Sequence, residues 1–105
     1  FYIKPQDYGV RTGVRRLSIT DADGVGMMIC NPDRDLSFTA RHFTQALMQR
    51  SMHYDDLHSE HTTVIDIDGF LRGTGTGSCG PDVLPKYAID GCKELSYSFV
   101  IIPIK

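Results

Sequence analysis

An antiparallel β-sandwich is the fold class this sequence predicts, and three observations carry the prediction. Hydrophobic residues alternate with a period of two in several separate stretches, and turn-forming Asp-Gly and Asn-Pro-Asp signals stand between them. No strand–helix–strand alternation of the kind a parallel sheet requires is present. The 105 residues fit one small domain with a modest core.

Taken in order, residues 14–20 and 25–30 flank Asp21-Ala22-Asp23-Gly24, where Asp-Gly supplies the positive φ of a tight β-hairpin. Asn31-Pro32-Asp33 marks a second turn, after which Leu36, Phe38 and Ala40 alternate with Ser37, Thr39 and Arg41 as a further strand. Thr44 caps the one short helix, 45–50, with Phe43 and Met48 spaced as a hydrophobic staple. Residues 63–71 place Ile65, Ile67 and Leu71 on one face and Asp66 and Asp68 on the other, an acidic face expected to be wet or functional. Residues 95–104 form the last strand, with Leu95, Tyr97, Phe99 and Ile101 on one face and Val100, Ile102 and Ile104 on the other. That pattern predicts a strand that starts half exposed and ends buried on both sides. The least regular segment, 72–85, is a Gly-rich loop between strands, the kind of place where function sits on a rigid sandwich.

The chain is 41% hydrophobic and 23% charged with net charge -2, which places it in the globular class and leaves no basic field for nucleic acid or an anionic membrane. No run of 18 apolar residues is present. Opening at Phe1 without Met and running directly into strand-like sequence, the chain is expected to be an excised piece of a longer one. Cys30, Cys79 and Cys92 are unevenly spaced and form no CxxC, which predicts reduced thiols in a cytoplasmic protein.

The glycines at 73, 75, 77 and 80 superficially suggest a phosphate cradle, but no Lys-Ser/Thr follows and no helix opens behind them. A bulged strand end or close backbone approach accounts for them better. His53, His58 and His61 with Asp55, Asp56 and Glu60 crowd nine residues. Their spacings fit neither a helical zinc pair nor a finger, and a solvated turn has the same composition. Cys79 with one of these histidines lacks a third orienting partner for nucleophilic catalysis. A retaining glycosidase needs two carboxylates about 5 Å apart. Glu60 and Glu94 are the only glutamates and nothing pairs them, so no catalytic residue is assigned in this chain.

Five blocks in order carry a resemblance: Pro5-Gln6-Asp7-Tyr8-Gly9-Val10-Arg11, His53-Tyr54-Asp55-Asp56-Leu57, Ile67-Asp68, Gly73-Thr74-Gly75-Thr76-Gly77-Ser78-Cys79-Gly80-Pro81 and Val83-Leu84-Pro85-Lys86-Tyr87. Together with Ser37-Phe38-Thr39-Ala40 they resemble the C-terminal small-chain domain of family-two β-galactosidases over nearly the whole chain. Asp7 replaces that family's usual Glu, and Tyr8 and Val10 its usual Asn residues. The resemblance implies that residues 1–105 are the C-terminal portion of a large antiparallel sandwich domain in a retaining enzyme that acts on β-galactosides such as lactose. It places the two catalytic glutamates in a (β/α)8 barrel outside this chain, and the magnesium and sodium sites in other domains. The barrel and those other domains are the implied partners.

The resemblance also implies that one loop reaches the galactose pocket, which makes Gly75, Gly77, Ser78, Cys79, Gly80 and Pro81 the expected pocket residues. Some members carry a sugar-stacking tryptophan where this chain has Cys79, and a thiol supplies no aromatic platform. The alternatives are a stand-alone carbohydrate-binding sandwich and a purely structural interaction domain. The first is disfavoured because the chain has no Trp and its five Tyr and five Phe mostly take alternating strand positions that core packing explains. Sheet edges left open by missing strands would favour homo-oligomers through strand addition.

Overall fold

The computed structural model describes residues 3–73 and 77–105. Among these the chain is all-β with one short helix: β1 (Arg11–Val14), β2 (Arg16–Thr20), β3 (Gly26–Cys30), β4 (Leu36–Arg41), α1 (Gln45–Arg50), β5 (Val64–Asp68) and β6 (Val100–Ile104). The strands form two antiparallel three-stranded sheets, ordered β1-β4-β5 and β2-β3-β6, in a sandwich-like arrangement.

The β2–β3 hairpin forms where its turn chemistry puts it. The Asp21 carboxylate accepts the amides of Asp23 at 2.9 Å and Val25 at 3.0 Å, and Gly24 takes φ +83°. Gly26, facing Thr20 in the hairpin, has no room for a Cβ, which would run into the Ile19 carbonyl. Asn31 then secures the exit from β3: its side-chain Oδ1 accepts the amides of Asp33 and Arg34, and its side-chain NH2 donates to the Ser98 carbonyl at 2.6 Å.

α1 starts at the expected cap, with the Thr44 hydroxyl accepting the Leu47 amide at 3.2 Å, and buries Met48. β1 has no alternating signature and was not foreseen. It pairs with β4 through a bulge in which Arg11 to Val14 face Phe38 to Leu36, and Gly13 takes the left-handed φ of +66° that such a bulge needs.

Three expectations need correction. The last strand is shorter than 95–104, and it is not buried on both sides: Val100, Ile101 and Ile102 are exposed, Ile101 at 55%. β6 lies at the edge of its sheet, where alternation shows which residues are apolar but not whether a second layer covers them. On β4 the expected apolar face fails at Ala40, which is exposed, while the polar positions Thr39 and Arg41 are buried. The aromatics expected in the core are in part outside it, since Tyr54, Tyr87, Tyr97 and Phe99 are exposed.

The buried apolar core among the described residues is small: Ile29, Leu36 and Met48. The Cα radius of gyration is 16.3 Å, against roughly 13 Å for a closed domain of this length. The accessible surface is 8210 Å2, about 40% more than the roughly 5,900 Å2 typical of a monomer of this mass. The molecule is an extended slab measuring 47 × 40 × 19 Å.

Candidate functional site

The Gly-rich loop leaves the sheet through β5. The strand ends at Asp68, and Gly69 follows, pressed so closely against the Tyr97 ring that a Cβ would collide with it. The Tyr97 hydroxyl donates to the Ile67 carbonyl at 2.9 Å, and its ring meets Phe70 edge-on with centroids 6.5 Å apart. The guanidinium of Arg34 covers the Phe70 ring at 4.1 Å. The path into the loop is thus fixed by aromatic packing on both sides of Gly69.

The loop then closes on itself. Arg72 donates to the Asp82 carboxylate at 2.5 Å, and the Val83 amide donates to the same carboxylate at 2.7 Å. The Val83 amide, and after it Arg72, hold the Asp82 carboxyl below its ordinary range. One residue further in, a Cβ on Gly73 would stand 2.8 Å from Val83 Cγ1. Of the residues the sequence nominated, Gly77, Ser78, Cys79, Gly80 and Pro81 all lie at the exposed surface beyond this neck, and Gly77 takes φ +70°. Gly75 lies outside the described residues.

A charged cluster beside the loop base was not foreseen. Arg41, with its side chain 3% exposed, bridges the carboxylates of Asp7 and Asp66, which lie far apart in sequence. Thr39 donates to Asp66 at 3.1 Å and Gln45 to Asp7 at 2.9 Å. Gln45 above all, and then Arg41, hold the Asp7 carboxyl below its ordinary value, while burial opposes them. The Arg41 Nε finds no partner among the described residues. Asp7, Tyr8, Asp66, Asp68, Leu71 and Arg72 line a cleft of about 460 Å3 above this cluster. The acidic face of β5, expected to be wet or functional, is therefore partly consumed by an internal ion network.

The histidine-rich segment folds as a 3-10 turn, Tyr54–Asp56, whose Asp56 carboxylate accepts the amides of His53 at 2.9 Å and Met52 at 3.0 Å. These two hydrogen bonds hold Asp56 below its ordinary carboxylate range. No group of three His, Cys, Asp or Glu side chains among the described residues is arranged to hold a metal ion. Cys79 and Cys92 are exposed and Cys30 half-buried. Among the described residues no helix is long and apolar enough to cross a membrane.

Residues 1–101 match the family model for the β-galactosidase small chain. A β-galactosidase of Halalkalibacterium halodurans is 31% identical over 101 residues, covering 95% of this chain and 10% of that protein. A β-galactosidase of Staphylococcus xylosus is 29% identical over 98 residues, covering 93% of this chain and again 10% of the relative. A β-galactosidase small subunit of Latilactobacillus sakei is 27% identical over 111 residues, covering 95% of this chain and 35% of the subunit. The chain thus spans about a tenth of the length of the first two relatives and about a third of the small subunit.

Proposed function

The chain belongs to the β-galactosidase small-chain family, and from that premise we propose that it is the C-terminal portion of the sandwich domain of a family-two, retaining β-galactosidase. The enzyme would release terminal non-reducing β-D-galactose from β-galactosides such as lactose. The catalytic glutamates stand in the barrel, and magnesium and sodium act in domains other than this one. The family match across residues 1–101 is the single observation that carries this reading. The open slab supports it, because a surface about 40% in excess of a closed monomer's suits a piece that other domains cover.

In this reading the loop beyond the Arg72–Asp82 neck forms part of the galactose-pocket wall, and its role is positional. Gly77, Ser78, Cys79, Gly80 and Pro81 bring backbone and small side chains to the surface, which suits close approach to a sugar held by the barrel. Cys79 acts as wall and not as nucleophile. Neither Glu60 nor Glu94 takes part in bond cleavage, so the chain by itself turns over no galactoside.

Kinetics of the whole enzyme test this reading. Cys79→Ser is expected to retain most of kcat, while Gly77→Val, which forces a β-branched residue into φ +70°, is expected to lower kcat/KM with little change in melting temperature. An inactive but folded Cys79→Ser would assign chemistry to the thiol. A fully active Gly77→Val would place the loop away from the sugar.

A further inference from the structure

We propose that Arg72 and Asp82 are positioning residues that set where the Gly77–Pro81 wall stands. This inference rests on the reading that the wall borders the sugar. After β5 two limbs of the chain, Arg72–Gly73 and Asp82–Val83, meet at two successive levels. At the outer level the Arg72 guanidinium reaches the Asp82 carboxylate at 2.5 Å. At the inner level Gly73 faces Val83 with no space for a side chain between them. Asp82 is fixed from a second direction by the Val83 amide, so the carboxylate cannot follow Arg72 freely if the limbs part. Gly77 returns toward the same point, with the position of its missing Cβ 3.7 Å from Asp82 Cβ.

The neck also separates two cavities. Among the described residues, the cleft of about 460 Å3 that contains Asp7, Asp66 and Asp68 and a second of about 550 Å3 that contains Phe70, Lys86 and Tyr87 share Leu71 and Gly73 as lining residues. Cavities therefore flank the neck on both sides, and the ion pair and the Gly73–Val83 contact are what joins its two limbs at these two levels. Both charged side chains are substantially exposed, at 40% and 53%, so the pair contributes little to global stability while deciding the local geometry. That separation distinguishes a positioning role from a merely structural one.

The test uses Arg72→Glu, Asp82→Arg and the double charge swap Arg72→Glu/Asp82→Arg, read in two ways. In the chain itself, the rate constant of the Cys79 thiolate with iodoacetamide is measured against Cys92 as internal reference. Each single variant is expected to shift the Cys79 rate about three- to fivefold, the ceiling an exposed ion pair sets, and the swap to restore it within about twofold. In the whole enzyme, each single variant is expected to raise KM for a galactoside by a similar factor, with kcat changed less and melting temperature unchanged, and the swap to recover KM. Single variants that leave the Cys79 rate unmoved, or a swap that restores nothing, overturn the neck. A Cys79 rate that responds as expected beside a KM that does not move keeps the neck and overturns the placement of the loop at the sugar.

Discussion

The two sheets of this molecule are stabilised in opposite ways. The β1-β4-β5 sheet closes its own accounts: Arg41 is buried and bridged to Asp7 and Asp66, and the N-terminal segment, β4, α1 and β5 are joined through it and Gln45. The β2-β3-β6 sheet has a well-specified hairpin and register, with Leu17, Ile29 and Ile101 in one cross-strand row. Yet that row runs from buried Ile29 at 3% to Ile101 at 55% exposed. Local pairing is complete there and the covering layer is not. The difference teaches that strand pairing and sandwich closure are separate events: the first follows from turns and alternation in the chain, the second needs apolar surface from elsewhere.

The comparison breaks most severely at the ion network. Asp7→Ala/Asp66→Ala strands a buried guanidinium and is expected to cost about 3–5 kcal/mol in urea unfolding. Arg41→Met should cost less, about 2 kcal/mol, because the two carboxylates it leaves behind are roughly half exposed and regain water. Equal costs would show that the network is not centred on a buried charge. In the other sheet Gly26→Val drives a side chain into the Ile19 carbonyl and is expected to cost about 3 kcal/mol by the same unfolding measurement, with β6 lost along with the hairpin.

How much of this was legible in the sequence follows the same division. The hairpin was readable because Asp21 to Gly24 encode the turn with their own side chains, and α1 because Thr44 caps it locally. Arg41 was not readable. A charged residue at the polar position of an alternating strand reads as solvent-facing, and its partners lie 34 and 25 residues away in sequence. The exposure of β6 is not legible for the complementary reason: apolar residues on both faces indicate a strand that will be covered, not what covers it. The Gly-rich segment is legible as irregular because its glycines and Pro81 break the alternation, and its described residues 72–73 and 77–81 lie in no strand or helix. Its neck is not legible, because an Arg and an Asp ten residues apart carry no signature until the chain turns back.

Acid sharpens the contrast between the sheets with a smaller effect. The Asp7 carboxyl is held below its ordinary value of 3.8, so it contributes stability that is fully present above that value and lost as pH falls through its lower folded-state value. Urea midpoints followed downward from pH 5 are therefore expected to show an acid-limb loss that Asp7→Asn diminishes. An unchanged acid limb in that variant would remove Asp7 from the network. The smallest expected effect is at the exposed strand, where Ile101→Lys should change the stability of the chain alone by no more than about 0.5 kcal/mol while reducing its self-association in sedimentation. A large loss of stability would mean that Ile101 is already covered.

Amide hydrogen exchange of β6, compared between this chain alone and the same residues within the whole β-galactosidase, tests most directly the claim that this sheet is completed from outside. The account predicts rapid exchange at the outward-facing amides of Val100–Ile104 in the chain alone and strong protection in the enzyme, with β4 nearly unchanged between the two. Equal protection of β6 in both would contradict it.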